Sequence, residues 1–204
     1  MRSKRRSIGV KMLLVFALCV CGILCSTVKV EAVQNYKKIY GNLLKKKTVT
    51  VTTEYGYDIT LKANYFTLVD INRNGVKELI VSEDKYADYI YIFTIKRGKV
   101  KYIGDMLNKY YNGVRYSKKY KGLVIATGGS GASGTSIYQI KNNRLVEKYA
   151  FMIEHNMTDE YYFNGKKVSA KSYNAKKKKY LKSSTIKEAK MYKNTKSNRN
   201  KRLK

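Results

Sequence analysis

Residues 65–81 read YFTLVDINRNGVKELIV. Apolar and β-branched residues flank a short polar stretch, so the segment predicts strand, tight loop, strand. Strands joined so closely pair antiparallel. Within the loop, Asp70, Asn72 and Asn74 fall at positions one, three and five, Gly75 at six, Val76 at seven and Glu78 at nine. That order sets side-chain oxygens on one side of a tightening turn, with the Val76 carbonyl and Glu78 closing the cage. Oxygen donors at this spacing suit a hard cation such as calcium. An EF-hand is excluded, because position twelve is Val81 rather than a bidentate Glu and the flanks are strands. Asn-Gly is itself a turn-former, so a plain turn held by Asp70 and Asn72 is the alternative.

Working outward, residues 33–47 predict a helix, with Tyr36, Ile39, Tyr40, Leu43 and Leu44 at helical spacing. Gly41 opposes it. Residues 48–62 alternate and predict one or two strands turning at 55–58. Strands at 66–69, 78–82, 88–95 and 99–103 form one meander, and strands at 122–127, 135–141 and 144–153 form another. Asn142–Asn143 and Asn164–Gly165 are hairpin turns, the second joining strands 160–163 and 166–168. Ser169 is placed to cap a helix running to about Leu181. From residue 183 the apolar content falls while lysines accumulate, which predicts a disordered basic tail over 183–204. The fold class is therefore α+β: antiparallel meanders in two blade-like units, a helix at each end, and the tail. Residues 33–182 form one domain.

The first 32 residues read as a secretory signal. Arg2, Lys4, Arg5, Arg6 and Lys11 precede an apolar run over 12–25, and Val30 and Ala32 suit cleavage after Ala32. An uncleaved anchor is the alternative, although the run is shorter than the ~20 residues a membrane span needs. Cys19, Cys21 and Cys25 all lie inside this segment, so an exported product would have no disulfides. The whole chain has 43 basic and 14 acidic residues. Removing Arg2, Lys4, Arg5, Arg6, Lys11, Lys29 and Glu31 leaves 37 and 13, or +24. Such a field attracts polyanions. Outside a cell these include anionic wall polymers such as teichoic acid, with no specific nucleic acid required. The expected product is a monomer, secreted or associated with the cell wall.

The pattern DINRNGVKEL between two apolar strands resembles the calcium loop of FG-GAP and VCBS repeats, the blades of integrin-type propellers. Together with YIYIFTIKRGKVKYIG over 89–104 and YYFNGKKVS over 161–169, it resembles a group of small secreted Firmicutes proteins that carry a single such loop. The resemblance is best over 65–104. It implies a calcium site at Asp70, Asn72, Asn74, Val76 and Glu78, and implies no activity. Loops of that kind usually carry Asp at positions three and five. Asn72 and Asn74 leave two charges, with Arg73 and Lys77 opposing a cation, so the expected affinity is weak, on the order of millimolar.

The remaining candidates have simple readings. The glycine-rich stretch 128–134 could form an anion nest but is expected to be a flexible connection between strands. It lacks both the P-loop pattern and the Gly-x-Ser-x-Gly spacing. His155, the one histidine, is expected in a loop; a Ser–His–Asp set is possible, but no spacing recommends it. Glu147 and Glu154 are expected to be solvated partners of lysines, and the tyrosines of 89–93 to pack in a sheet. The expected function is an exported, strongly basic, non-enzymatic binding module with a weak calcium loop. A secreted cell-wall hydrolase and a protein inhibitor or effector are the alternatives.

Overall fold

The computed structural model describes residues 36–53, 55–108 and 113–203. The expected signal segment lies outside them. Helix α1 spans 36–45 and is followed by β1 (Thr48–Thr52), β2 (Asp58–Lys62), β3 (Tyr65–Val69), β4 (Glu78–Ser82), β5 (Tyr89–Lys96) and β6 (Lys99–Leu107). Then come β7 (Val114–Ser117), β8 (Gly122–Gly129), β9 (Ala132–Lys141), β10 (Arg144–His155), β11 (Asp159–Phe163) and β12 (Lys166–Val168). Helix α2 (Ala170–Tyr180), a 3-10 turn (Ser183–Thr185), β13 (Ile186–Ala189), β14 (Tyr192–Lys193) and α3 (Lys196–Arg202) complete the order.

The strands form antiparallel sheets: the pair β1-β2, a five-stranded sheet β14-β3-β4-β5-β6, and a seven-stranded sheet β12-β11-β10-β9-β8-β7-β13. The five-stranded sheet is covered on both faces. Side chains alternate along a strand, so Leu79 and Val81 of β4 join Tyr36, Tyr40 and Leu44 of α1 and Leu61 of β2. Ile80, on the other face, joins Ile90, Ile92, Leu123 and Ile125 between the two sheets. Every residue of β4 is buried, which is why ELIVS lacks the polar alternation of a half-exposed strand. Burying Ile80 against its neighbours contributes about 2–3 kcal/mol. No helix among the described residues is long and apolar enough to cross a membrane.

The expected turns take their expected geometry. Asn142 and Asn143 have φ of 50° and 59°, and Asn164 and Gly165 have 50° and 73°, the left-handed pairs of type I′ hairpins. The Ser169 hydroxyl accepts from the Ser172 N–H and starts α2. Three expectations give way. The 128–134 stretch is not a flexible connection but a tight hairpin, with Gly129 opposite Ala132 across Ser130–Gly131; Gly131 supplies the φ of +90° that the turn needs. His155 is not in a loop but ends β10.

The third correction is the tail. Residues 183–203 are ordered elements rather than a disordered extension. β13 pairs with β7 at the edge of one sheet, and β14 pairs with β3 at the edge of the other. Asn194 Nδ2 donates to the carbonyls of Leu44 (2.8 Å) and Ala63 (2.7 Å), and Met191 is buried between the sheets. Average composition understates such a segment, because preformed strand edges supply backbone partners that a few well-placed side chains then lock.

Candidate functional site

The loop 70–77 joins β3 to β4 as a hairpin whose last register pair is Val69 with Glu78. Asp70 therefore leaves one strand beside the residue that begins the other. The Asp70 carboxylate accepts two backbone hydrogens, from Asn74 N–H at Oδ1 (3.1 Å) and Gly75 N–H at Oδ2 (3.2 Å). Asn72 Oδ1 accepts from the same Asn74 N–H at 3.0 Å. Asp70 and Asn72 thus each place an oxygen about one hydrogen bond from one nitrogen. Gly75, at φ +88°, makes the bend, and a side chain there would be strained.

Glu78 differs from the rest of the loop. It is fully buried. Its Oε2 accepts from the Ile71 N–H (2.9 Å), and its Oε1 accepts from Asn72 Nδ2 (3.2 Å). Burial pushes its pKa up to about 7, and the Asp70 charge adds to the rise, while the Ile71 N–H opposes it. Lys167 pairs with Glu160 and His155 Nδ1 lies within hydrogen-bond reach of Asp159, whereas Glu78 is paired with no basic side chain among the described residues. A buried carboxylate without a cation is costly, and the loop's own basic residues, Arg73 and Lys77, are exposed.

The five expected ligands are not equally placed. Asp70, Asn72 and Glu78 are linked by hydrogen bonds into one cluster. Asn74 is exposed, and its Oδ1 accepts from the Val76 N–H at 2.8 Å. The Val76 side chain packs against the α1 cluster. Each carboxylate oxygen that accepts one N–H retains a second lone pair, so these bonds shape the loop without using up its donors. No group of three or more His, Cys, Asp or Glu suited to a metal occurs among the described residues; two carboxylates and amide oxygens make a set of a different kind. The Asp70 charge adds to the rise that burial gives the Tyr36 pKa, and the Glu78 charge does the same for Tyr40, whose hydroxyl donates to the Phe93 carbonyl at 3.3 Å.

Elsewhere, Glu154 and Glu160 face each other across β10 and β11. The Tyr162 hydroxyl donates to both (3.3 and 2.7 Å), and Lys167 pairs with Glu160 at 2.5 Å. Tyr89 and Tyr102 both donate to Asp105. The Ser–His–Asp set that no spacing recommended is present in the fold. Ser133 Oγ lies 2.9 Å from His155 Nε2, and His155 Nδ1 lies 3.0 Å from Asp159 Oδ1. A histidine four residues before an aspartate is the sole linear trace of it. Strand register brings Ser133 to the pair. Comparison with protein-family models, curated proteins and solved structures finds no match.

Proposed function

We propose that this chain is an exported, strongly basic binding module of the cell surface, whose five-stranded sheet is a blade-like unit pinned by a weakly held calcium ion in the loop between β3 and β4. Asp70, Asn72, Asn74, the Val76 carbonyl and Glu78 would hold the ion. The observation that carries the reading is Glu78: a fully buried carboxylate beside Asp70, without a basic partner among the described residues, in a chain of net charge +29. A divalent cation would supply the missing countercharge and keep both carboxylates ionised. The hydrogen bonds to Asn74, Gly75 and Ile71 N–H already hold the two carboxylates in place, so little reorganisation would be needed.

The surface partner follows from charge. Lys96, Lys99 and Lys101 are exposed around the β5–β6 hairpin, and Lys176–Lys179 lie along α2. Such groups recognise repeated phosphate or carboxylate charge without a sequence code, as in an anionic wall polymer. Titration calorimetry with calcium at millimolar concentration is the test of the loop. The expected result is saturable heat that Asp70→Ala abolishes. Absence of heat, together with a melting temperature unmoved by calcium, would sink the metal reading and leave the plain hydrogen-bonded turn.

A further inference from the structure

We propose that Ser133, His155 and Asp159 form a catalytic site, independent of the calcium loop, that transfers the acyl group of a small carboxylic ester to Ser133 and then to water. The three residues come from three neighbouring strands: β9, the end of β10 and the start of β11. Nucleophile to base is 2.9 Å and base to carboxylate 3.0 Å, both within hydrogen-bond reach. With Nδ1–H donated to Asp159, Nε2 is left as the acceptor for the Ser133 hydroxyl, the tautomer a general base needs.

The scaffold holds this arrangement in two further ways. His155 N–H donates to the Gly131 carbonyl at 2.7 Å, tying the histidine to the hairpin that carries Ser133. His155 and Asp159 are direct register partners across β10 and β11. The constellation is open to solvent: Ser133 is exposed, and the side chains of His155 and Asp159 are 44% and 46% accessible. A substrate needs no lid to move before it can reach the hydroxyl.

Ser133 also lines a pocket of about 230 Å³, with Ala126, Thr127, Ile153, Tyr173 and Lys177. That volume is below the range of drug-sized sites, so it suits a short acyl chain. Ala126, Ile153 and Tyr173 offer apolar contact, and Lys177 from α2 adds positive charge to the lining, which favours a developing oxyanion.

The step balances with water as the co-reactant. Ser133 Oγ attacks the ester carbonyl carbon, and its proton passes to His155 Nε2. The C–O bond to the alcohol breaks, and the departing oxygen takes that proton. Water then attacks the acyl-serine, gives a proton to His155, and releases the carboxylic acid as Ser133 regains its hydrogen. Asp159 acts through His155 as a positioning residue.

The test is labelling of the full chain by a fluorophosphonate ester, with the modified residue mapped by peptide mass spectrometry. Ser133 should be the labelled residue, and His155→Ala should slow labelling by about 10²-fold or more. Asp159→Ala should slow it about tenfold, with Asp159→Glu restoring most of the rate, a rescue that a purely structural role would not give. A second measurement keeps the proposal open to refutation if the phosphonate fits poorly. Ser133→Cys should be alkylated by iodoacetamide about tenfold faster than the same variant carrying His155→Ala, because histidine promotes the thiolate. Labelling of Ser133 no faster than of other serines, with equal alkylation rates in the two cysteine variants, would overturn the proposal.

Discussion

Glu78 joins two opposed demands, since β4 needs a buried residue at its first position and the loop needs a carboxylate. Its pKa is pushed up to about 7 from an ordinary value near 4.5. Between those values the folded chain holds a proton that the unfolded chain has lost. This group's contribution to stability therefore falls as pH rises from about 4.5 to about 7, and levels off above. Melting temperatures in metal-free buffer across that window should show the decline, and Glu78→Gln should flatten it. The glutamine keeps an acceptor for the Ile71 N–H and carries no charge, so above neutral pH the variant should melt no lower than the parent. In the proposed calcium site the ion would compete with the proton for the same oxygens. Its stabilising effect should therefore be larger above pH ~7 than below pH ~5, and missing in the Gln variant.

Elements are held chiefly by what lies on either side of β4 and by the strands that close the two sheet edges. Ile80 sits between the sheets with no exposed surface. Ile80→Ala should cost about 2–5 kcal/mol in denaturant unfolding, depending on how far the site collapses. The C-terminal segment makes a sharper case. Deleting residues 183–204 removes β13 from β7, β14 from β3, and the Asn194 side chain from the Leu44 and Ala63 carbonyls. A disordered tail could be cut away without effect. Here the truncated chain should melt clearly lower and lose amide protection along β3 and β7 in hydrogen exchange. Asn194→Ala by itself should cost about 1–3 kcal/mol, because it removes a donor from the Ala63 carbonyl and the shorter of two donors from the Leu44 carbonyl.

Across the whole molecule the dominant quantity is charge. Lys187, Lys193, Lys196 and Lys201 belong to β13, β14 and α3, so the proposed attachment to polyanions would be a property of the folded surface. Exposed Lys96, Lys99 and Lys101 cluster at the end of the β5–β6 hairpin. Reversing all three to glutamate should leave the melting temperature near that of the parent, since none is buried. Elution from heparin or wall polymer should then occur at clearly lower salt, with a shallower dependence on ionic strength. Unchanged elution would assign the contact to α2 or α3 instead.

The loop around Gly75, the hairpins at Asn142–Asn143 and Asn164–Gly165, the cap at Ser169 and most strands could be read from the chain, because each rests on contacts within a few residues. The tyrosine and leucine spacing of α1 was equally plain, and a side chain at Gly41 would meet only Leu203 at ordinary contact distance, so the packing does not demand glycine there. Other features needed the tertiary structure. β13 and β14 carry little apolar signal of their own, and they exist because distant sheets leave edges for them to pair with. Which loop oxygens face one another depended on the burial of Glu78 by α1 and the sheet. Ser133, His155 and Asp159 met through the pairing of β9, β10 and β11. A shift of one residue in the register of β9 against β10 would turn Ser133 to the opposite face; that register is set by the Asn142–Asn143 turn together with the irregularity between Glu147 and Tyr149, both far along the strands from Ser133.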